Sequence, residues 1–246
     1  MFVVAVGTGT ASTLTGQTSP TIVGVLQDES GRPVRNAAIQ ACTAAVCFPS
    51  ESGDDGRFRF DLQLKTPVQV LLKTPEQLMG QPRRAAAMAP VEVRGTAAID
   101  AGVVLVPTLP AGVALPAAGA GPRALVVGDG LELTLDARRL KAAPGSVVMS
   151  LAARRIPTAR VPAYRLPAGE RVLAVYALHP FGATSEAPVG VRAPLALAAG
   201  TPVKFRTVGE LDGTLSDPVP GRASGRDVTT SPSVGISHLT YLVISR

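Results

Sequence analysis

From Thr21 onward short apolar runs alternate with clusters of turn residues, and the runs have the period of strands. The clearest is RFRFDLQL. Phe58, Phe60, Leu62 and Leu64 fall on one side of it, and Arg57, Arg59, Asp61 and Gln63 on the other. Strict alternation predicts a half-buried strand with one wet face. TIVGVLQ and PVQVLLK are apolar and β-branched, and NAAIQACT, VCFPSES, VEVRG and AGVVLVP bring the strands within residues 21–108 to seven. DESGRP and GDDG are turn clusters between them. PEQLMGQPRRAAAMAP, residues 75–90, offers a helical turn that Gly80 and Pro82 interrupt. Seven short strands in this length match the count of an immunoglobulin-like sandwich.

A second series begins at Ala124. ALVVGDGLELTLD reads as a hairpin turning at Gly128-Asp129-Gly130. SVVMSLAARR, RVLAVYALHP, VGVRAPLAL, TPVKFRTVG and HLTYLVIS read as further strands, and GRASGRDVTTSPS as the longest polar loop, exposed and mobile. Between the two series lies PTLPAGVALPAAGAGPR. Its Pro, Ala and Gly content suggests a semi-stiff linker over 109–123, or else an edge strand at VALPA. The expected fold is therefore all-β: two tandem β-sandwich modules, 21–108 and 124–246, joined by the linker and preceded by residues 1–20. No internal repeat of fixed period emerges.

Three blocks in order carry a resemblance. GVLQDESGRPVRNAAI, then DDGRFRF, then DAGVVL at Asp100 to Leu105 are similar to the carboxypeptidase regulatory-like domain. The resemblance covers residues 21–108 and implies a transthyretin-like sandwich that serves as an accessory module and not as a catalyst. Gly31 and Gly56 stand where tight turns need freedom from a Cβ. In the second series, AGTPVKF followed by SHLTYLV resembles bacterial surface β-domains of the ZU5 type. Fold does not carry function with it.

The chain has 246 residues, 46% of them hydrophobic and 17% charged, which is not the profile of a disordered chain. The 25 Gly and 22 Pro follow no period and suit many turns. Six Phe, three Tyr and no Trp leave little to stack sugars or bases on. The net charge of +6 is uneven: residues 21–108 hold nine basic and nine acidic residues, and 109–246 hold fifteen and nine. From Arg138 to Arg171 there are eight basic residues and one acid, Glu170. Two readings stand for that stretch. It is a solvated Arg-rich face, or it is an anion-facing patch for an acidic polysaccharide, an envelope component or an acidic partner. Nucleic acid is not expected, since no recognition helix or aromatic motif accompanies the arginines.

The opening MFVVAVGTGTAS reads either as the end of a signal peptide or as a first strand. No stretch is long and apolar enough to span a membrane as a helix. Cys42 and Cys47 would face one another across a hairpin tipped by Ala44-Ala45, which suits a disulfide and an oxidising compartment; the alternative is a pair of buried thiols. Two isolated cysteines at this spacing do not make a zinc or redox motif.

Catalytic signatures are sparse. G-x-S-x-G and H-E-x-x-H do not occur, and Ser237-His238, as neighbours on a strand, should point to opposite faces. Asp54-Asp55 suits a hairpin turn better than a pair of catalytic carboxylates. His179 and His238 read as structural. No cofactor or metal is called for, and no enzymatic activity is expected. The pairs Arg138-Arg139 and Arg154-Arg155 are the candidate binding constellation, because guanidinium forks onto carboxylate, sulfate or phosphate.

The function expected is a non-enzymatic, exported structural or interaction protein of a bacterial cell-surface or extracellular assembly, pairing with copies of itself or with other surface proteins. The composition, rich in Ala, Val, Arg and Pro and poor in Lys, suits a bacterial genome of high GC content. The alternative is an envelope-associated module that binds an acidic polymer through the four arginines. Periplasm, outer surface and medium all suit an exported chain of this kind.

Overall fold

A computed structural model describes residues 20–79, 82–116, 121–143 and 148–246. The opening apolar run, and with it the choice between signal remnant and first strand, lies outside the described residues. Among them the protein is all-β, with helix only in two short 3-10 turns, Ala137–Arg139 and Thr158–Arg160.

The first unit contains β1 (Thr21–Gln27), β2 (Ala38–Cys42), β3 (Cys47–Glu51), β4 (Arg57–Asp61), β5 (Val68–Lys73), β6 (Met88–Val93) and β7 (Ile99–Leu105). They form two sheets, β4-β1-β7 and β3-β2-β5-β6. β1 runs antiparallel to β4 and parallel to β7. The alternation read in β4 holds: Phe58 and Phe60 are buried, while Arg57, Arg59 and Asp61 are exposed. The two phenylalanines join Ile22 and Leu26 against Ile39, Ala41, Val70 and Leu72 of the other sheet. Residues 75–87 contain no helix among the described positions. Gln77 and Arg84 instead exchange backbone hydrogen bonds of 3.0 and 2.8 Å, as befits a segment whose Pro82 has no amide to offer a helix.

The second unit contains β8 (Val113–Ala114), β9 (Arg123–Gly128), β10 (Leu131–Leu135), β11 (Leu140–Lys141), β12 (Ser150–Arg155), β13 (Val172–His179), β14 (Ala183–Ala193), β15 (Pro202–Thr207), β16 (Val219–Ala223), β17 (Val228–Thr230), β18 (Ile236–Leu239) and β19 (Tyr241–Ser245). Their pairing order is β8-β12-β13-β19-β15-β16-β17-β14-β10-β9, with β11 and β18 also on β14. The sheet curls back on itself. Gly128, at the end of β9, touches β12, and a Cβ there would lie 2.2 Å from the Ala153 carbonyl oxygen. Inside the curl sit Leu131, Leu133, Leu135, Tyr176, Phe205 and Leu242.

In the stretch read as a linker or an edge strand, Leu109 is buried, and Val113–Ala114 pair with Leu151 and Ser150 of β12 as an edge strand. Another stretch differs from expectation. GRASGRDVTTSPS is largely a hairpin. Ala223 pairs with Val228 and both are buried, while polar residues occupy the wet face. Its polarity marks a half-exposed hairpin and not a free loop.

The two units meet over a broad seam. On β13 and β19 alternate residues serve different cores: Tyr176 and Leu242 face the second unit's interior, whereas Val175, Ala177, Tyr241 and Val243 face Leu71, Met88, Leu105 and Leu109 of the neighbouring segments. Double burial explains why VLAVYALH and TYLVIS are apolar without alternation. Polar contacts rim the seam. Gln69 Nε2 donates to the Asp212 carbonyl (2.7 Å), and Lys73 Nζ to that of Glu210 (2.9 Å). Partial burial holds the Lys73 ammonium below its usual pKa.

Candidate functional site

Cys42 and Cys47 are bonded to one another. They stand in register on β2 and β3, one step beyond the point where the Thr43 amide donates to the Val46 carbonyl (2.8 Å). That places them as a non-hydrogen-bonded pair, where opposed side chains come closest. The bond closes the hairpin tip.

The four arginines do not converge. Asp136 caps the Ala137–Arg139 turn and takes both a backbone and a forked side-chain hydrogen bond from Arg138. Those bonds, the side-chain one foremost, hold its carboxyl below the ordinary range. Arg139 and Lys141 share Glu186. Arg154 lies at the other end of β10, beside Asp129 in the β9–β10 turn. The five strand residues Leu131–Leu135 lie between Asp129 and Asp136, about 17 Å of extended chain. Arg154 is also a seam residue: its Nε donates to the Thr108 carbonyl (2.6 Å) and approaches Glu29 at 3.7 Å. Asp129 further accepts from the Arg155 amide at 2.7 Å.

Ser237 and His238 correct the expectation of opposite faces. Both are exposed, and Ser237 Oγ lies 2.9 Å from His238 Nδ1. β18 pairs with β14 through a register shift between Thr184 and Val189, which disturbs the alternation here. The contact joins sequence neighbours at Nδ1, and among the described residues no carboxylate is hydrogen-bonded to the ring. His179 is buried and meets Glu76 across the seam. Among the described residues no group of three or more His, Cys, Asp or Glu could hold a metal ion. No helix among them is long and apolar enough to cross a membrane.

The feature that sequence reasoning missed is a groove of about 600 Å³ at the open side of the first unit. Each of its two long walls is an end strand: β6 closes one sheet and β7 the other, so each pairs on one side only among the described residues. The third wall is Ile156 and the run from Ala159 to Ala163 of the second unit, and Tyr241 lies beneath. Val91, Ile99 and Ala101 line it where they also edge the sandwich core. Val103, 37% exposed, stands at its lip. Three charged residues line it: Glu92, Asp100 and Arg160. Glu92 is engaged by Arg94 and Arg165, and hydrogen bonding, Arg94 foremost, lowers its pKa; Asp100 accepts from the Gly102 amide at 2.8 Å. Burial pushes the Tyr241 hydroxyl well above its usual pKa, so the floor stays neutral. The lining holds no His, Cys, Ser, Thr or Lys. Its chemistry is mixed: apolar contact, backbone groups, and the charged side chains of Glu92, Asp100 and Arg160. The one sequence signal was Pro90, since a proline inside a strand marks an edge.

No family model matches this chain, and no curated protein matches it. Among solved structures it is similar to a putative carbohydrate binding protein from Bacteroides uniformis, at 10% identity and a TM-score of 0.22, over 92% of this chain and 78% of that one. A likeness at that level says nothing about what this chain binds.

Proposed function

We propose that this chain is a non-catalytic, exported interaction protein of a bacterial cell-surface or extracellular assembly, and that it takes an extended segment of a partner into the groove between β6 and β7. One observation carries this: the end strands of two different sheets open side by side onto one groove of mixed polarity. A free edge presents a row of unpaired amides and carbonyls, and a partner strand satisfies them while burying alternate side chains. Each edge is interrupted: Pro90 leaves β6 one donor short, and β7 bulges at Gly102, whose amide donates to Asp100 Oδ1 (2.8 Å), so the acceptor stretches are the residues flanking these points. The disulfide supports an oxidising compartment. We further propose that the first unit is a carboxypeptidase regulatory-like module and the second a relative of ZU5-type surface domains. The arginine alternative has less behind it, since its four residues lie at two ends of one strand and three of their side chains already face carboxylates.

The test is the native mass of the protein, purified at rising concentration and recovered from envelope and medium, for the wild type and Val103→Arg. The expected result is a complex or oligomer that Val103→Arg dissolves, with an unchanged circular dichroism spectrum. A strict monomer in every preparation, or a complex indifferent to Val103, overturns the proposal.

A further inference from the structure

One wall of the groove is not a strand. Residues 156–171, IPTARVPAYRLPAGER, join β12 to β13 and hold no regular structure beyond the Thr158–Arg160 turn. A connection of that length without strands is uncommon unless it serves a function. We propose that its middle, residues 157–169, is a strap that opens as a unit and so gates the groove. The inference rests on the groove reading for the strap's use, and on the strap's own contacts for its motion. Both ends are fixed. The Ile156 amide donates to the Val175 carbonyl (2.8 Å), and Arg171 exchanges backbone bonds with Arg246 (2.8 and 3.1 Å). Between them, among the described residues, the strap's backbone bonds are all local: Arg160 to Pro157 (2.8 Å), Val161 to Thr158 (3.4 Å), Leu166 to Tyr164 (3.1 Å) and Glu170 to Pro167 (3.0 Å). One ion pair, Arg165 with Glu92, clasps the span to β6, and its side chains are 60% and 32% exposed. Such a pair contributes little. Val161 and Tyr164 supply the apolar hold, packed against the core that includes Met88 and Tyr241. Tyr164 carries a cost there: its hydroxyl is buried and meets no hydrogen-bond partner among the described residues. Burial first, and Tyr241 second, push its pKa well above the ordinary value, so it remains a neutral donor. A buried donor left without a partner favours the conformation that hydrates it. The closed strap thus sets apolar packing against an orphan hydroxyl and a weak clasp. Gly169, at φ 83 with open space where a Cβ would stand, supplies a hinge. Lifting the strap takes Ala159 to Ala163 away from the groove and uncovers Tyr241, which is 2% exposed when it is closed.

The test digests the full chain with trypsin under native conditions and follows cleavage after Arg160 and Arg165 by mass spectrometry. Where closing outpaces cleavage, the rate follows the open population. Tyr164→Phe keeps the ring and removes the orphan hydroxyl, so it should be cut about tenfold more slowly than the wild type. Glu92→Gln loosens the clasp and should be cut about two- to threefold faster. Both rates should stay nearly flat in low urea, because a local opening exposes little surface. A Tyr164→Phe chain cut as fast as the wild type, or a rate that climbs with urea along the global unfolding curve, overturns the inference. The two readings fail separately: digestion of the isolated chain needs no partner, whereas the native mass of Val103→Arg tests the groove with the strap intact. Where a complex forms, Tyr164→Phe should slow its association by the same factor of about ten; an unchanged association rate overturns the gate.

Discussion

The Glu76 carboxylate and the His179 imidazole meet at Nδ1, 2.9 Å apart, across the seam between the two units. Glu76 follows β5 in the first unit and His179 ends β13 in the second; their side chains are 13% and 7% exposed. Removing the imidazole leaves a largely buried carboxylate without its partner. His179→Ala should therefore lower the unfolding free energy by about 1–3 kcal/mol. Urea unfolding of the two chains measures it, and equal midpoints would show that the contact contributes nothing.

The seam also makes a prediction about cooperativity. Leu71 is fully buried between β5 and the apolar faces of β13 and β19. Units sharing such a core should unfold together, in one calorimetric transition whose van't Hoff and calorimetric enthalpies agree. Leu71→Ala removes a core side chain at a cost of about 2–5 kcal/mol. It should broaden or split that transition. Two separate transitions in the wild type would mean that the seam does not couple the units.

Strand periodicity made the first unit legible. Phe58 and Phe60 alternate with Arg57 and Arg59 because that sheet has one wet face, and each strand read within 21–108 is present. Val175 and Tyr241 were legible only as apolar; what they pack on is set by a chain segment some hundred residues away in sequence, which no local period records. The groove was hidden for the same reason. Whether β7 is central or an edge depends on pairing order, and only Pro90 on its opposite wall left a local trace. Arg138 and Arg154 looked alike in sequence because composition counts charges without their partners; Asp136, Glu29 and Asp129 reach them only through the turns and the seam.

Cys42 and Cys47 close a short loop, with a separation of 5 residues. Chain entropy for so small a ring gives a contribution of about 2 kcal/mol. Reduction should lower the urea midpoint by the corresponding amount and leave the circular dichroism of the folded chain unchanged, because β2 is also held by β5. Unfolding on reduction alone would show that the hairpin has no other support.

Glu170 anchors the pH dependence. It accepts from Arg206 at 2.8 and 3.2 Å, from Lys204, and from Ser245 Oγ at 3.2 Å. These bonds, Arg206 first, pull its pKa from 4.5 to about 2. The folded value lies below the unfolded one. The carboxylate thus contributes in full above about pH 4.5, and the contribution drains away as pH falls through about 2. Arg206 is itself 4% exposed, so Glu170→Gln leaves a buried guanidinium short of its counter-charge, at a cost of about 3 kcal/mol near neutrality. Urea unfolding across the acid range should show the wild type losing stability more steeply than Glu170→Gln below pH 4.5, and the two curves drawing together toward pH 2. Curves that stay parallel would mean that Glu170 is neither charged nor paired in the folded chain as its geometry requires.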